Sequence, residues 1–174
     1  MSVSVTPRVR RPAGCGYYYQ EDPAGLTESV RRLAQATPVA ATSAIGVILP
    51  HGSLRQSGAV TAATLASVQI PARCVILGPS HANSAMRWSV MPNGAYQTPL
   101  GAVPVDEPLA AALLESCPFL EGDAWGQQGE HAVEVLLPFL QVARPDSFSL
   151  VPIITNGGSL DEYTTVAQVL AQWI

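Results

Sequence analysis

The chain has 174 residues, 48% of them apolar and only 13% charged, which is enough to bury a sizeable core as one domain and too apolar for a disordered tail. Its net charge of -4 sets thirteen carboxylates against nine basic residues, all arginine; beyond Arg8, Arg10 and Arg11 they do not cluster, so no nucleic-acid face is expected. There is no lysine, which excludes Schiff-base chemistry, and Cys15, Cys74 and Cys117 are too scattered for a disulfide frame or a zinc cluster and read as reduced thiols.

In chain order, the start MSVSVTPRVRRPAGCG has no apolar core of a secretory signal, and no later run approaches the roughly 20 residues of a membrane span, so a cytoplasmic protein with no membrane partner is expected. DPAGLTESVRRLAQA has an acidic start and sets Leu26, Val30 and Leu33 on one face, predicting an amphipathic helix. Residues 45–49, 73–77 and 148–154 are short, apolar and rich in β-branched side chains, the pattern of strands covered on both faces. Helices are predicted between them at 57–68, 108–114 and 128–142. This alternation predicts parallel crossovers and a three-layer α/β/α domain with a mainly parallel sheet. MPNGAYQTPLGAVPVDEP is dense in Pro and Gly and reads as a long excursion with a turn at Asn93 and Gly94. The final DEYTTVAQVLAQWI reads as a helix that runs into Trp173 and Ile174 without a cap, as though cut in mid-fold.

Two of the strand-like runs lead to histidines, in AIGVILPHGS and CVILGPSHANS. Ligands of open parallel sheets gather outside the carboxyl ends of strands, and His51 and His81 fall there, each beside a Pro and a Gly that restrict or free the turn. The remaining histidine lies in GEHAVEVLLPFLQ, where a helix would put His131 and Glu134 on one face and Glu130 one turn from Glu134. The pattern predicts a mononuclear metal centre with His51 and His81 as ligands and His131 as a third ligand or proton-transfer group. Two His with a carboxylate suit Fe(II), and three His suit zinc. Glu130 and Glu134, with Ser80, would line the pocket or orient the imidazoles from behind. Against this stands the plainer reading, in which each histidine bonds nearby backbone and the glutamates form a solvated helix face.

A second expectation is a non-enzymatic module that holds a peptide or small anion in the same cleft through Arg55, Ser80 and Asn83, with Ser53 and Ser57 as further donors. A hydrolase built on Ser80 and His81 ranks last, because no G-x-S-x-G elbow is present. Cys74 reads as a core thiol, and Tyr17, Tyr18 and Tyr19 as a packing or rim element.

RRPAGCGYYYQED, ILPHGSLRQSG, VILGPSH, YQTPLGAVPVD, GEHAVEVLLPFLQ and LVPIITNGG occur in an order that resembles the MEMO family. The resemblance implies a fold like that of the class III extradiol dioxygenases of the LigB type, and a metal-dependent redox enzyme of that relationship. Carried over, the first two metal-site histidines fall on His51 and His81, and the catalytic His131 falls on the histidine of the family's EHS-type helix. It implies Fe(II) first, with copper or zinc as alternatives, a small molecule or peptide as ligand, and an AMMECR1-type or radical-SAM partner, and it leaves a homo-oligomer open. Two departures stand out. Pro50-His51-Gly52-Ser53-Leu54 replaces the usual Pro-His-Ala-Gly-Tyr, and the family's final metal ligand falls beyond Ile174, so residues 1–174 read as one MEMO-like domain truncated on its C-terminal side.

Overall fold

A computed structural model describes residues 8–35, 40–81 and 87–173. The fold is α/β, with two small mixed sheets and two groups of helices. The four-stranded sheet holds strands β2 (Arg73–Pro79), β3 (Trp88–Val90), β6 (Glu121–Gly122) and β7 (Ser149–Thr155), in the order β2-β7-β3-β6. β2 pairs parallel to β7 along its whole length, while β3 runs antiparallel to β7 and parallel to β6. The sheet is therefore mixed where a mainly parallel one was expected. Leu150, Val151, Ile153 and Ile154 of β7 are all buried, as a strand covered on both faces requires.

The second sheet, β1-β4-β5, combines β1 (Val9–Arg10) with a hairpin of β4 (Ala95–Thr98) and β5 (Gly101–Pro104). This corrects the expectation of a long loop over MPNGAYQTPLGAVPVDEP. The alternation that makes β4 a strand was hidden among Pro and Gly: Tyr96 and Thr98 are buried, while Ala95 and Gln97 are half-exposed. An isolated bridge from Val105 to Leu150 ties the hairpin to β7.

Helix α1 (Pro23–Gln35) opens with Asp22 accepting the Gly25 N–H at 2.6 Å and Pro23 in its first turn; Leu26 and Val30 face the core as their spacing predicts. Helix α2 (Leu54–Ala66) is capped by Ser53, and helices α1, α2 and α4 (Leu137–Ala143) pack on one another. Helix α3 (Glu107–Ser116), capped by Asp106, packs on α5 (Leu160–Leu170), whose start is a capping box between Ser159 and Glu162. Among the described residues no helix is long and apolar enough to cross a membrane.

Two further expectations are corrected. Residues 45–49 form no strand: Ile45 and Ile48 are 91% and 97% exposed, and among the described residues β2 ends its sheet with no partner on its outer side. The helix expected over 128–142 begins late, with a 3-10 turn at Glu134–Leu136 before α4. Pro138 sets that start, since its missing N–H is harmless only in a first turn. His131 and Glu130 thus lie in the loop ahead of the helix, and the helix-face spacing assigned to them does not apply.

Candidate metal centre

Three chain segments meet outside the end of β2. β2 runs out at Pro79, the Ser80 N–H bonds back to the Thr155 carbonyl at 2.9 Å, and the next residue is His81. The loop before α4 brings His131. The turn before the Ser53 cap of α2 brings His51, where the Leu54 N–H donates to the Tyr18 carbonyl at 2.7 Å. The imidazole centroids are 5.1 Å apart for His51 and His81, 4.4 Å for His81 and His131, and 6.2 Å for His51 and His131. His81 after β2, His51 before α2 and His131 before α4 therefore share one rim, although no strand precedes His51.

Glu130 lies behind this rim with only 1% of its surface exposed. Its carboxylate accepts the His81 backbone N–H at 2.5 Å, the His81 Nδ1 hydrogen at 2.8 Å and the Ala132 N–H at 2.8 Å. The His131 Nδ1 stands 3.5 Å away. A carboxylate against Nδ1 fixes the tautomer of His81, so that the Nε2 lone pair is what this ring offers to the cleft. Burial alone would raise the Glu130 carboxyl, but the hydrogen bonds from His81 and Ala132 outweigh it and hold the group below the usual carboxylate range. Burial pushes the His131 imidazole down, with the His81 and His51 rings adding to the shift, against the opposing pull of Glu130. A neutral imidazole is the form that ligates a metal.

The donors therefore suit a divalent ion. One ligand atom each from His81, Glu130 and His131 lie within 4.8 Å of one another, and His51 adds a further imidazole beside them. The three N–H bonds that Glu130 accepts suit a group that orients His81 from behind.

Glu134 does not join this cluster. Fully buried, its carboxylate turns to the N-terminal arm, accepting from Arg10 Nη1 at 2.6 Å, Ala13 N at 2.7 Å, Gly14 N at 2.8 Å and the Tyr19 hydroxyl at 2.5 Å. Arg10 also donates to the Gln127 and Glu130 carbonyls. The role expected of Glu134 behind the imidazoles is thus an indirect one, because it anchors the arm that places Tyr18. The Tyr18 ring stacks on His131 with centroids 4.1 Å apart.

The cleft has a volume of about 930 Å³ and is walled by Tyr18, Ile48, Leu49, Pro50 and Val60, with Gln56 and Ser57 as polar neighbours of the histidines. Of the donors expected for a binding module, Ser57 lines the cleft, Ser53 caps α2, Arg55 points to solvent, and Asn83 lies outside the described residues. Sequence reasoning had Tyr18 at a rim but missed Arg10 and Gln127, whose carbonyl and side chain tie β1, β3 and β4 together. Arg10 sits between Val9 and Arg11 in the one arginine cluster of the sequence, and nothing local marks it as the buried member. The cysteines are all unpaired, and burial pushes the Cys74 thiol up to about 11, as expected of a core thiol.

The profile of the family described as Memo-like protein matches residues 10–174. A MEMO1 family protein of Methanopyrus kandleri is 35% identical over 156 residues, covering 83% of this chain and 55% of the relative. One from Ignicoccus hospitalis is 34% identical over 179 residues, covering 95% and 61%. One from Methanothermobacter thermautotrophicus is 36% identical over 156 residues, covering 83% and 56%. The chain thus spans between 55% and 61% of the length of these relatives.

Proposed function

The chain belongs to the Memo-like protein family, and from that premise we propose that it is a metalloprotein with a mononuclear divalent ion at the three-histidine rim, related in chemistry to the non-haem iron extradiol dioxygenases. The observation that carries this is Glu130: a buried carboxylate on Nδ1 of His81 is the standard way to hold an imidazole in its ligating tautomer. His51 and His81 would hold the ion, and His131 would serve beside it as the acid–base group. When bound, the ion supplies Lewis acidity and, if it is Fe(II), a one-electron couple. The chain's own residues do the rest. Glu130 orients His81, Tyr18 fixes the plane of the His131 ring by stacking, and Ile48, Leu49, Pro50 and Val60 offer an apolar wall to part of a small substrate. The three unpaired thiols suit a reducing, cytoplasmic setting.

Metal analysis of freshly purified protein, with the His51→Ala and His81→Ala variants, tests the reading. The expected result is one bound divalent metal in the parent chain and its loss in both variants. Equal metal in all three would refute it. The apolar wall and Tyr18 also favour the second reading, a module that holds a peptide or small ligand without turnover; ligand binding that persists in metal-free protein and in both His variants would establish that one instead.

A further inference from the structure

The three imidazoles reach the rim from two different layers. His81 follows β2, and His131 lies in a loop that the Gln127 side chain ties to β3 and β7 and whose Gln127 and Glu130 carbonyls are held by Arg10, so both belong to the sheet side. His51 comes from the helical side. No hydrogen bond fixes its ring among the described residues, and residues 45–50 ahead of it have neither helix nor strand. Its turn moves with α2: the Pro50 carbonyl accepts the Thr61 hydroxyl at 3.3 Å, and the Ser53 carbonyl accepts the Gln56 and Ser57 N–H groups at 2.9 and 3.0 Å.

Tyr18 joins these two units. Its ring stacks on His131 at 4.1 Å, and its own carbonyl accepts the Leu54 N–H, the first of α2, at 2.7 Å. The side chain thus touches one imidazole, and the main chain holds the helix start three residues beyond another. Tyr18 is itself held from behind, its N–H donating to the Gly14 carbonyl at 2.8 Å while Glu134 accepts the Gly14 N–H and the Tyr19 hydroxyl. The packing of α2 on α1 and α4 through Gly58, Ala62 and Leu65 is largely apolar and non-directional, so it tolerates sliding, whereas a hydrogen bond fixes one register. Two imidazoles share an ion only if a nitrogen of each stands about 2 Å from it, so a shift of α2 by a fraction of an ångström is felt.

We propose that Tyr18 is a positioning residue of the metal centre whose main-chain carbonyl sets His51 against His81, so that the N-terminal arm fixes the span between the imidazoles of the two layers; this rests on the metal-centre reading above. The Leu54 N–H is one of those a helix start leaves without an intrahelical partner, so the Tyr18 oxygen takes it without disturbing α2. Without that bond the turn carrying His51 follows α2 alone, and an ion must draw the helix start into place, which weakens its binding. The arm acts on affinity without touching the ion.

Leu54→Pro tests this, because proline removes that N–H at the first helical residue, where a helix accepts it, and Ser53 ahead of it already has the extended backbone that a following proline favours, with φ -63° and ψ 156°. Leu54→Ala keeps the N–H and controls for the lost side chain. Zn(II) affinity is read by competition with a chromophoric chelator, and urea midpoints of the metal-free chains are read beside it. The expected result is about tenfold weaker Zn(II) in Leu54→Pro than in Leu54→Ala at similar midpoints, with no further loss when Leu54→Pro is added to His51→Ala. Should Leu54→Pro not fold, Gly14→Ala puts the same question from the arm. Its Cβ would stand 3.1 Å from Tyr18 Cδ2 and 3.2 Å from Glu134 Oε1 and push Tyr18 aside, so weaker Zn(II) is expected, and parental affinity would overturn the proposal. If Leu54→Pro binds as Leu54→Ala does while His51→Ala is impaired, the positioning role is refuted and the metal centre stands. If His51→Ala binds as the parent does, or Zn(II) does not bind at all, the metal-centre reading falls and this one with it.

Discussion

The Arg10 guanidinium and the Glu134 carboxylate meet at 2.6 Å with neither side chain exposed, across 124 residues of sequence. The pair clamps the N-terminal arm to the loop that carries Glu130 and His131, since Arg10 also holds the carbonyls of Gln127 and Glu130 while Glu134 holds the N–H groups of Ala13 and Gly14. Burial and the Glu134 contact push the Tyr19 hydroxyl far above its ordinary range, so it remains a donor to that carboxylate. Removing one partner leaves an uncompensated buried charge. Glu134→Ala and Arg10→Met should each cost about 3–5 kcal/mol in urea unfolding, whereas the paired Arg10→Met/Glu134→Leu variant should cost less than the sum. Near-parental stability of either single variant would show that the clamp carries no weight.

Gly94 enters β4 at φ +95°, and a Cβ there would fall 1.9 Å from the Arg8 carbonyl oxygen, which itself accepts the Ala95 N–H at 3.0 Å. Gly94→Ala should therefore force β1 away from β4 and destabilise by more than the ~1 kcal/mol of backbone strain alone. Gly101 sits at φ +121° in the same hairpin with nothing within 4 Å of a built Cβ. Gly101→Ala should show the strain without the clash. Equal losses in the two variants, measured by denaturant midpoints, would contradict the role given to the Arg8 carbonyl.

Asp106 caps α3 through the Leu109 N–H and binds Arg73 Nε at 2.5 Å and the Ser149 hydroxyl at 3.0 Å. Burial would raise its pKa, but these hydrogen bonds outweigh it and the group lies below the ordinary aspartate value. A depressed folded-state pKa adds stability above the unfolded value and loses it as pH falls through the folded one. Asp106→Asn should thus cost roughly 0.5–2 kcal/mol at neutral pH, and the difference from the parent chain should narrow in the acid range below about pH 4. A gap that stays constant from pH 7 to pH 3 would place the effect elsewhere.

Much of this was legible in the sequence because it rests on local pattern. Leu26 and Val30 at helical spacing, the β-branched run of β7 and the Pro-flanked histidines all report a period or a turn that three or four residues suffice to define. What escaped depends on partners far along the chain. β4 is a strand because Tyr96 reaches Gln127 and its neighbour on β1 comes from residue 10, which no window around Pro and Gly reveals. The late start of α4 is set by Pro138 in its first turn, and the residues ahead of it are bound to distant partners, Glu130 to His81 and Glu134 to Arg10, which local spacing does not report. Residues 45–49 show the opposite failure: the strand pattern is present in the run, but a strand also needs a partner, and among the described residues this run pairs with none.

Glu130 decides between the two ways of building the proposed metal centre. As an orienting group it accepts three N–H donors with two oxygens, so replacing one oxygen by an amide NH2 in Glu130→Gln must turn a donor against a donor and loosen His81 without removing a ligand. The expected result is a 10- to 100-fold loss of Zn(II) affinity in competition with a chromophoric chelator, smaller than the loss in His81→Ala, with His51→Ala also impaired. As a ligand, Glu130 would form the site with His81 and His131, whose donor atoms lie within 4.8 Å of its own. In that case Glu130→Gln should abolish binding as fully as His81→Ala, and His51→Ala should leave it intact. The His51 result separates the two, because its ring stands 5.1 Å from His81 and 6.2 Å from His131 and belongs to the centre only in the first arrangement.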